Sequence, residues 1–131
     1  MTEEKATSRE IAIAIGETIA EKLGRDVRVL DMRELTDIAD WFVIASAQSR
    51  RHLKVLADEL IDDIKSAHIG TVRVEGLNSE SWVIIDIFDV VVHIFMPEKR
   101  EFFGLEGHWG DAPSIVIEAS EADNSGAQDD L

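Results

Sequence analysis

Apolar residues recur at helical spacing in two stretches of the chain. In the first, four aliphatic residues between Ile11 and Leu23 repeat every four positions. Thr7 and Glu10 precede them with the spacing of a capping box, and the glycine after Leu23 is typical of a helix end. The pattern predicts a first helix from about Ser8 to Leu23.

The second stretch begins at Ser49, which is a favourable N-cap residue. Its apolar positions form a one-sided stripe at helical spacing: Leu53, Leu56, Ala57, Leu60, Ile61 and Ile64. We expect this helix to end near residues 68–70. Basic residues stand at its start and acidic ones toward its end, which opposes the helix dipole and favours either a solvated face or an anion or rRNA contact at Arg50 and Arg51.

The remaining apolar runs are of strand length. Five strands are predicted, over Val27–Asp31, Trp41–Ala47, Thr71–Glu75, Trp82–Ile87 and Asp89–Phe95. The unbroken second run suits a central strand, and it forms a β-α-β unit with the long helix and the third strand. A turn is expected at residues 76–79, and a short last helix over Glu98–Leu105 after Pro97. The pattern indicates a single α/β domain with a mixed five-stranded sheet flanked by three helices.

The last two strands form a hairpin with two different faces. If Asp86 and Asp89 flank a two-residue turn, Ile84 pairs with Val91 and Trp82 with His93. One face is then wholly aliphatic, and the other carries Trp82, Ile84, Asp86, Asp89, Val91, His93 and Phe95. This mixed face is either half-covered core, with His93 stacked on Trp82, or a partner-binding surface of the aromatic and charged type found at interfaces.

Composition narrows the classes of function. The 131 residues include 13 Lys and Arg against 27 Asp and Glu, a net charge of −14, and no Cys. This indicates one acidic domain, excludes a cysteine zinc site and argues against a free-standing nucleic-acid binder. The N-terminus does not resemble a secretory or transit signal and no run is long enough to span a membrane, so we expect a cytoplasmic protein.

Motifs for catalysis are mostly missing from the sequence. The four histidines are too far apart for a helical metal pair, and no phosphate-binding loop is present. The strongest enzymatic candidate is a nucleotidyltransferase-like site near Ser46, Ser49 and Arg50. Its two metal-binding carboxylates are absent, since the only acidic pair with that spacing is in the acidic tail. We therefore expect no enzyme activity, no metal and no cofactor.

Three longer motifs resemble the ribosomal silencing factor (Iojap-like) family. They are ASAQSRRHLKVLADEL, VEG followed by SWVIIDIFDVVVHIF, and REFFGLEGHWGDAP. The resemblance covers about residues 8–113, leaving 1–7 as an N-terminal extension and 114–131 as an acidic tail that we expect to be disordered. The sequence differs from the family at Phe88, where Gly is usual, and at Phe103, where Tyr is common.

The resemblance implies a non-enzymatic translational repressor with a fold distantly similar to nucleotidyltransferases. Such a factor binds the large ribosomal subunit through ribosomal protein fourteen of that subunit, sterically blocks joining of the small subunit when nutrients are short, and can form a homodimer when free. Direct nucleic-acid binding would be slight. The partner-binding residues implied are Trp82, Asp86, Asp89, Val91, His93, Met96, Arg100, Phe103, Leu105, Glu106 and Trp109. An enzyme, or a dimeric assembly module, is the alternative, and a role in ribosome biogenesis stays open.

Overall fold

The computed structural model describes residues 7–79, 81–99 and 112–117. Its elements are α1 (Ser8–Glu21), β1 (Arg25–Asp31), β2 (Trp41–Ser46), α2 (Arg50–Ser66), β3 (Arg73–Glu75), β4 (Trp82–Asp86), β5 (Val90–Phe95) and β6 (Ser114–Ile117). The predicted α/β class and mixed sheet are confirmed. Residues 97–99 are helical, and the rest of the predicted last helix lies outside the described residues. Within the described part of the chain, no helix is long and apolar enough to cross a membrane.

Hydrogen bonds from capping side chains set where the two long helices begin. At α1 the capping box forms: the Glu10 amide donates to Thr7 Oγ1 (3.1 Å) and the Thr7 amide to Glu10 Oε1 (2.9 Å). The helix ends at Glu21, two residues before the predicted end, because Leu23 has a left-handed backbone (φ 72°). At α2, Ser49 Oγ accepts the His52 amide at 3.0 Å, as expected of an N-cap.

The sheet has the strand order β3-β4-β5-β2-β1-β6. The central neighbours β5 and β2 are parallel, and every other neighbouring pair is antiparallel. From β2 the chain crosses through α2 to β3 at the edge of the sheet. The predicted β-α-β unit therefore exists with β4 and β5 between its two strands.

Hydrophobic side chains fill both sides of this sheet. One cluster joins the apolar stripes of α1 and α2 to the aliphatic face of the hairpin, where Val83, Ile85, Val92 and Ile94 are buried. A second, smaller cluster lies on the opposite side of the sheet, away from the helices. β2 contributes to both clusters, which explains why all six of its residues are buried.

The predicted hairpin register is wrong by two residues. Trp82 pairs with Phe95 and Ile84 with His93. The turn is formed by residues 88 and 89, because the Ile87 amide donates to the Val90 carbonyl (2.8 Å) and the Asp86 carboxylate accepts the Phe88 amide (2.8 Å). A shift of two residues leaves each side chain on its predicted face, since side chains alternate with a period of two.

The count of five strands is also wrong, because the structure adds β6. Residues 114–117, expected at the start of a disordered tail, pair antiparallel with residues 27–30 of β1. The free edge of β1 offers backbone donors and acceptors that this segment satisfies. Ile115 and Ile117 also pack against the main cluster, so burial of apolar area contributes to its position.

Candidate partner-binding surface

The side of the sheet opposite the helices carries a group of aromatic rings. We call it the aromatic face and define it by Phe42, Trp82, His93 and Phe95. β2, β5 and β4 are consecutive in the sheet, and each places alternate residues on this side. Trp82 lies at its margin and is half-buried, whereas Phe95 is completely buried.

Two contacts with described residues hold the indole ring of Trp82. It stacks on Phe95, with ring centroids 4.9 Å apart and planes inclined by 26°. Its Nε1–H donates to His93 Nδ1 at 3.2 Å. Together these contacts restrict the ring to one orientation, so its exposed part is a rigid apolar surface.

His93 is a buried titratable residue of the aromatic face. An indole N–H can only donate, so Nδ1 of His93 must accept and the neutral ring carries its proton on Nε2. The side chain lies between neighbouring rings, 4.8 Å from Phe42 by ring centroids, and only 6% of the residue is exposed. Burial lowers the pKa of His93 to about 4. No described residue accepts a hydrogen bond from Nε2.

Asp86 and Asp89 form hydrogen bonds that stabilise the hairpin turn. The Asp86 carboxylate accepts the Phe88 amide, and the Asp89 carbonyl accepts the amides of Asp40 (2.9 Å) and Trp41 (3.0 Å). The turn is thereby fastened to the loop that precedes β2. Among the described residues, no group of three or more His, Asp or Glu side chains is arranged to hold a metal ion.

The predicted partner-binding residues divide into three groups. Trp82 and Asp86 are half-buried, Asp89 is exposed, and Met96 is partly buried against the main cluster. Val91 and His93 are buried in the smaller cluster and lie beneath the surface. The other five lie outside the described residues: Arg100, Phe103, Leu105, Glu106 and Trp109.

Sequence reasoning missed the contribution of β2 to this surface. Phe42 lies opposite Val91, and Ile44 lies opposite His93, in the parallel pairing of β2 with β5. One end of the mixed face is covered core, whereas Trp82 at the other end remains accessible. The unbroken apolar run of β2 was the available signal, since a strand buried on both sides must supply residues to both faces.

The residues of the nucleotidyltransferase-like candidate lie at the end of β2 and the start of α2. Ser46 is buried in β2, and the Ser49 hydroxyl caps α2. Arg50 and Arg51 line an open groove of about 410 Å³ between the start of α2 and the turn at residues 77–78. His52 accepts the Gln48 amide at Nδ1 (2.9 Å) and is 2.8 Å from the Lys22 carbonyl at Nε2, so it links the start of α2 to the end of α1.

Comparison with known proteins gives consistent matches over most of the chain. The family model described as "Ribosomal silencing factor during starvation" matches residues 5–130. The "Ribosomal silencing factor RsfS" of Halalkalibacterium halodurans is 36% identical over 100 residues, which is 76% of this chain and 86% of that protein. The mouse protein named "Mitochondrial assembly of ribosomal large subunit protein 1" is 32% identical over 88 residues, 65% of this chain and 39% of its own length.

The fold has solved relatives as well. A crystal structure of a protein from Chromobacterium violaceum is 32% identical, with a TM-score of 0.76 over 88% of this chain and 98% of that one. A second crystal structure, from Bacillus halodurans, has a TM-score of 0.68 and is 28% identical over 84% of this chain and 97% of that one. The similarity thus includes both sequence and the arrangement of the sheet and helices.

Proposed function

Because the chain belongs to the ribosomal silencing factor family, whose members have a ribosome-associated silencing role, we propose that it represses translation by binding the large ribosomal subunit. The contact is ribosomal protein fourteen of that subunit, and the bound factor prevents the small subunit from joining. The protein acts as a non-enzymatic binding factor. A mouse relative whose name refers to assembly of the ribosomal large subunit supports the choice of subunit.

The observation that carries the choice of surface is the rigid, half-buried ring of Trp82. Central anchors of protein interfaces are often aromatic side chains held in one conformation, because little rotamer entropy is then lost on binding. Stacking on Phe95 and the bond to His93 provide that restraint. His93 supports the ring through its hydrogen bond, and Val91 packs in the smaller cluster on the same side of the sheet.

Charge supports a protein contact. The net charge of −14 would repel ribosomal RNA, whereas ribosomal proteins are generally basic. Attraction between an acidic factor and a basic protein raises the association rate, and apolar contacts then provide affinity.

A steric block requires only that the bound factor occupy space at the surface where the two subunits join. A compact domain of about 100 residues has a radius of gyration of about 13 Å and is therefore roughly 33 Å across. Such an object cannot fit between two surfaces that must approach to contact distance. No catalytic step is required for repression.

Cosedimentation with separated subunits tests this function. The protein should pellet with large subunits and not with small ones, and in a mixture of both it should reduce the fraction of joined ribosomes. Failure of the wild-type protein to bind large subunits would refute the proposal. Magnesium-dependent nucleotide binding in calorimetry would favour the enzyme alternative.

Two substitutions at Trp82 test the surface. Trp82→Ala should weaken large-subunit binding about 30-fold, the usual size for a central aromatic anchor. Trp82→Phe keeps a ring against Phe95 but removes the N–H donated to His93, so its loss should be smaller. Val116→Ala, a truncation of an exposed residue on β6, is the control. Wild-type affinity of a folded Trp82→Ala protein would contradict the assignment of the surface.

A further inference from the structure

The tip of the β4–β5 hairpin presents an aromatic side chain directly to solvent. Phe88 is 81% exposed, the largest exposed fraction among the large hydrophobic side chains that the structure describes. Its backbone is left-handed, with φ 77°. A bulky residue is disfavoured in this region, where glycine is the usual choice. Phe88 thus combines an unfavourable backbone conformation with an exposed aromatic ring.

The backbone of the tip is nevertheless held firmly by hydrogen bonds. The Asp86 carboxylate and the Ile87–Val90 pair close the turn from within. The Asp89 carbonyl accepts the amides of Asp40, in the loop before β2, and of Trp41, the first residue of β2, which fastens the tip from outside. The direction of the Phe88 Cα–Cβ bond is therefore fixed before any partner binds, which lowers the entropic cost of docking.

Apolar and acidic residues occupy the segments next to Phe88. In the adjoining loop Ile38 is 70% exposed, and beside the tip lies a groove of about 460 Å³ whose lining includes Ile69 and Val90. Four carboxylates of this loop and of the hairpin end are Asp37, Asp40, Asp86 and Asp89. The loop also contains Glu34 and Arg33, and Arg33 pairs with Asp31. Arg73 lies opposite Asp86 in the sheet, and no described residue forms a salt bridge with any of the four.

We propose that Phe88 is a second anchor, which inserts into an apolar pocket on a basic protein surface of the large ribosomal subunit. The inference rests on the proposed function and extends it to the opposite end of the hairpin from Trp82. The two side chains are roughly 20 Å apart along the strand direction, and a standard interface is about 30 Å across, so one partner can contact both.

The carboxylates of the neighbouring loop and turn determine the kind of occupant. They would repel the phosphates of RNA, although an exposed ring could otherwise stack on a base. They also disfavour a second copy of this acidic chain, because equal charges would then meet around the ring. A protein with Lys or Arg around an apolar pocket satisfies both the ring and its acidic rim.

Phe88→Gly provides a test in which stability and binding change in opposite directions. Glycine relieves the left-handed strain and keeps the amide bonded to Asp86, so the variant should be more stable, with Tm raised by about 3 °C. Its affinity for purified large subunits should fall about 30-fold.

Leu23→Gly is the matched control. Leu23 is also left-handed (φ 72°) and exposed (58%), but it lies at the end of α1, remote in sequence from the hairpin. Its substitution should raise Tm similarly and leave subunit binding unchanged. A loss of affinity shared by both variants would assign the effect to backbone stability and overturn the inference.

The other possible results of these measurements lead to different conclusions. Wild-type affinity of Phe88→Gly for large subunits would overturn the second anchor while leaving the proposed function intact. If Phe88→Gly instead converts a dimer to a monomer in light scattering and retains subunit binding, the tip belongs to self-association and the inference is wrong. Absence of subunit binding by the wild-type protein would remove the proposed function itself, and this inference with it.

Discussion

Acidification from pH 7 to pH 5 should lower the free energy of unfolding by about 2 kcal/mol through His93 alone. Burial lowers the pKa of His93 from 6.5 to about 4 in the folded protein. Between these values the unfolded chain binds the proton more readily than the folded chain does. The contribution of the neutral His93 ring to the free energy of unfolding is therefore fully present above pH 6.5. It declines as the pH falls toward 4, where the total loss reaches about 3 kcal/mol.

The structure explains why the folded protein resists protonation at this site. The Trp82 indole N–H already points at Nδ1, so a proton on that nitrogen would face another donor. Phe42 and Phe95 lie within ring-contact distance and offer no hydrogen-bond acceptor to a charged imidazole. Protonation requires either loss of the Trp82 bond or opening of the aromatic face.

Urea unfolding at pH 7, 6 and 5 measures this effect when the wild type is compared with His93→Gln. A glutamine side-chain oxygen can accept the Trp82 N–H but does not titrate, so the variant should lose about 2 kcal/mol less than the wild type over this range. His68→Gln is the control, because it makes the same substitution at an exposed position. Equal pH slopes for the wild type and His93→Gln would refute the reasoning.

Three further substitutions test the fold that supports the surface, each by urea or thermal unfolding. Ser49→Ala removes the N-cap of α2 and should cost about 1 kcal/mol, whereas an unchanged midpoint would mean that the cap contributes nothing. Leu60→Ala removes a side chain that is 1% exposed in the main cluster and should cost about 3 kcal/mol; a loss below about 1 kcal/mol would indicate a site that collapses around the cavity. Gly76→Ala would place a Cβ against the Trp82 carbonyl oxygen at φ 87°, so we expect a loss of about 2 kcal/mol and altered Trp82 fluorescence, and a variant as stable as the wild type would contradict the turn geometry.

Several features of this protein could be predicted because they depend on neighbours close in sequence. A helix cap involves residues three positions apart, which is why Thr7 and Ser49 could be assigned from their order alone. The faces of the hairpin follow from alternation along one strand, and alternation survives a register error of two residues. Trp82 and His93 were therefore correctly placed on one face although they are not directly paired.

The tertiary structure decided the features that depend on pairing between distant segments. The hairpin turn lies at residues 88 and 89, one residue after the predicted position. The reason is that the Asp86 carboxylate and the loop before β2 stabilise a left-handed Phe88. β6 forms only because β1 has an open edge on one side of the sheet, and no local signal in residues 114–117 specifies that partner. The neighbouring positions of β2 and β5 bring Phe42 against His93 and complete the aromatic face. Strand order is set by which edges remain free and which apolar faces remain uncovered once the helices have docked, and these are properties of the assembled sheet.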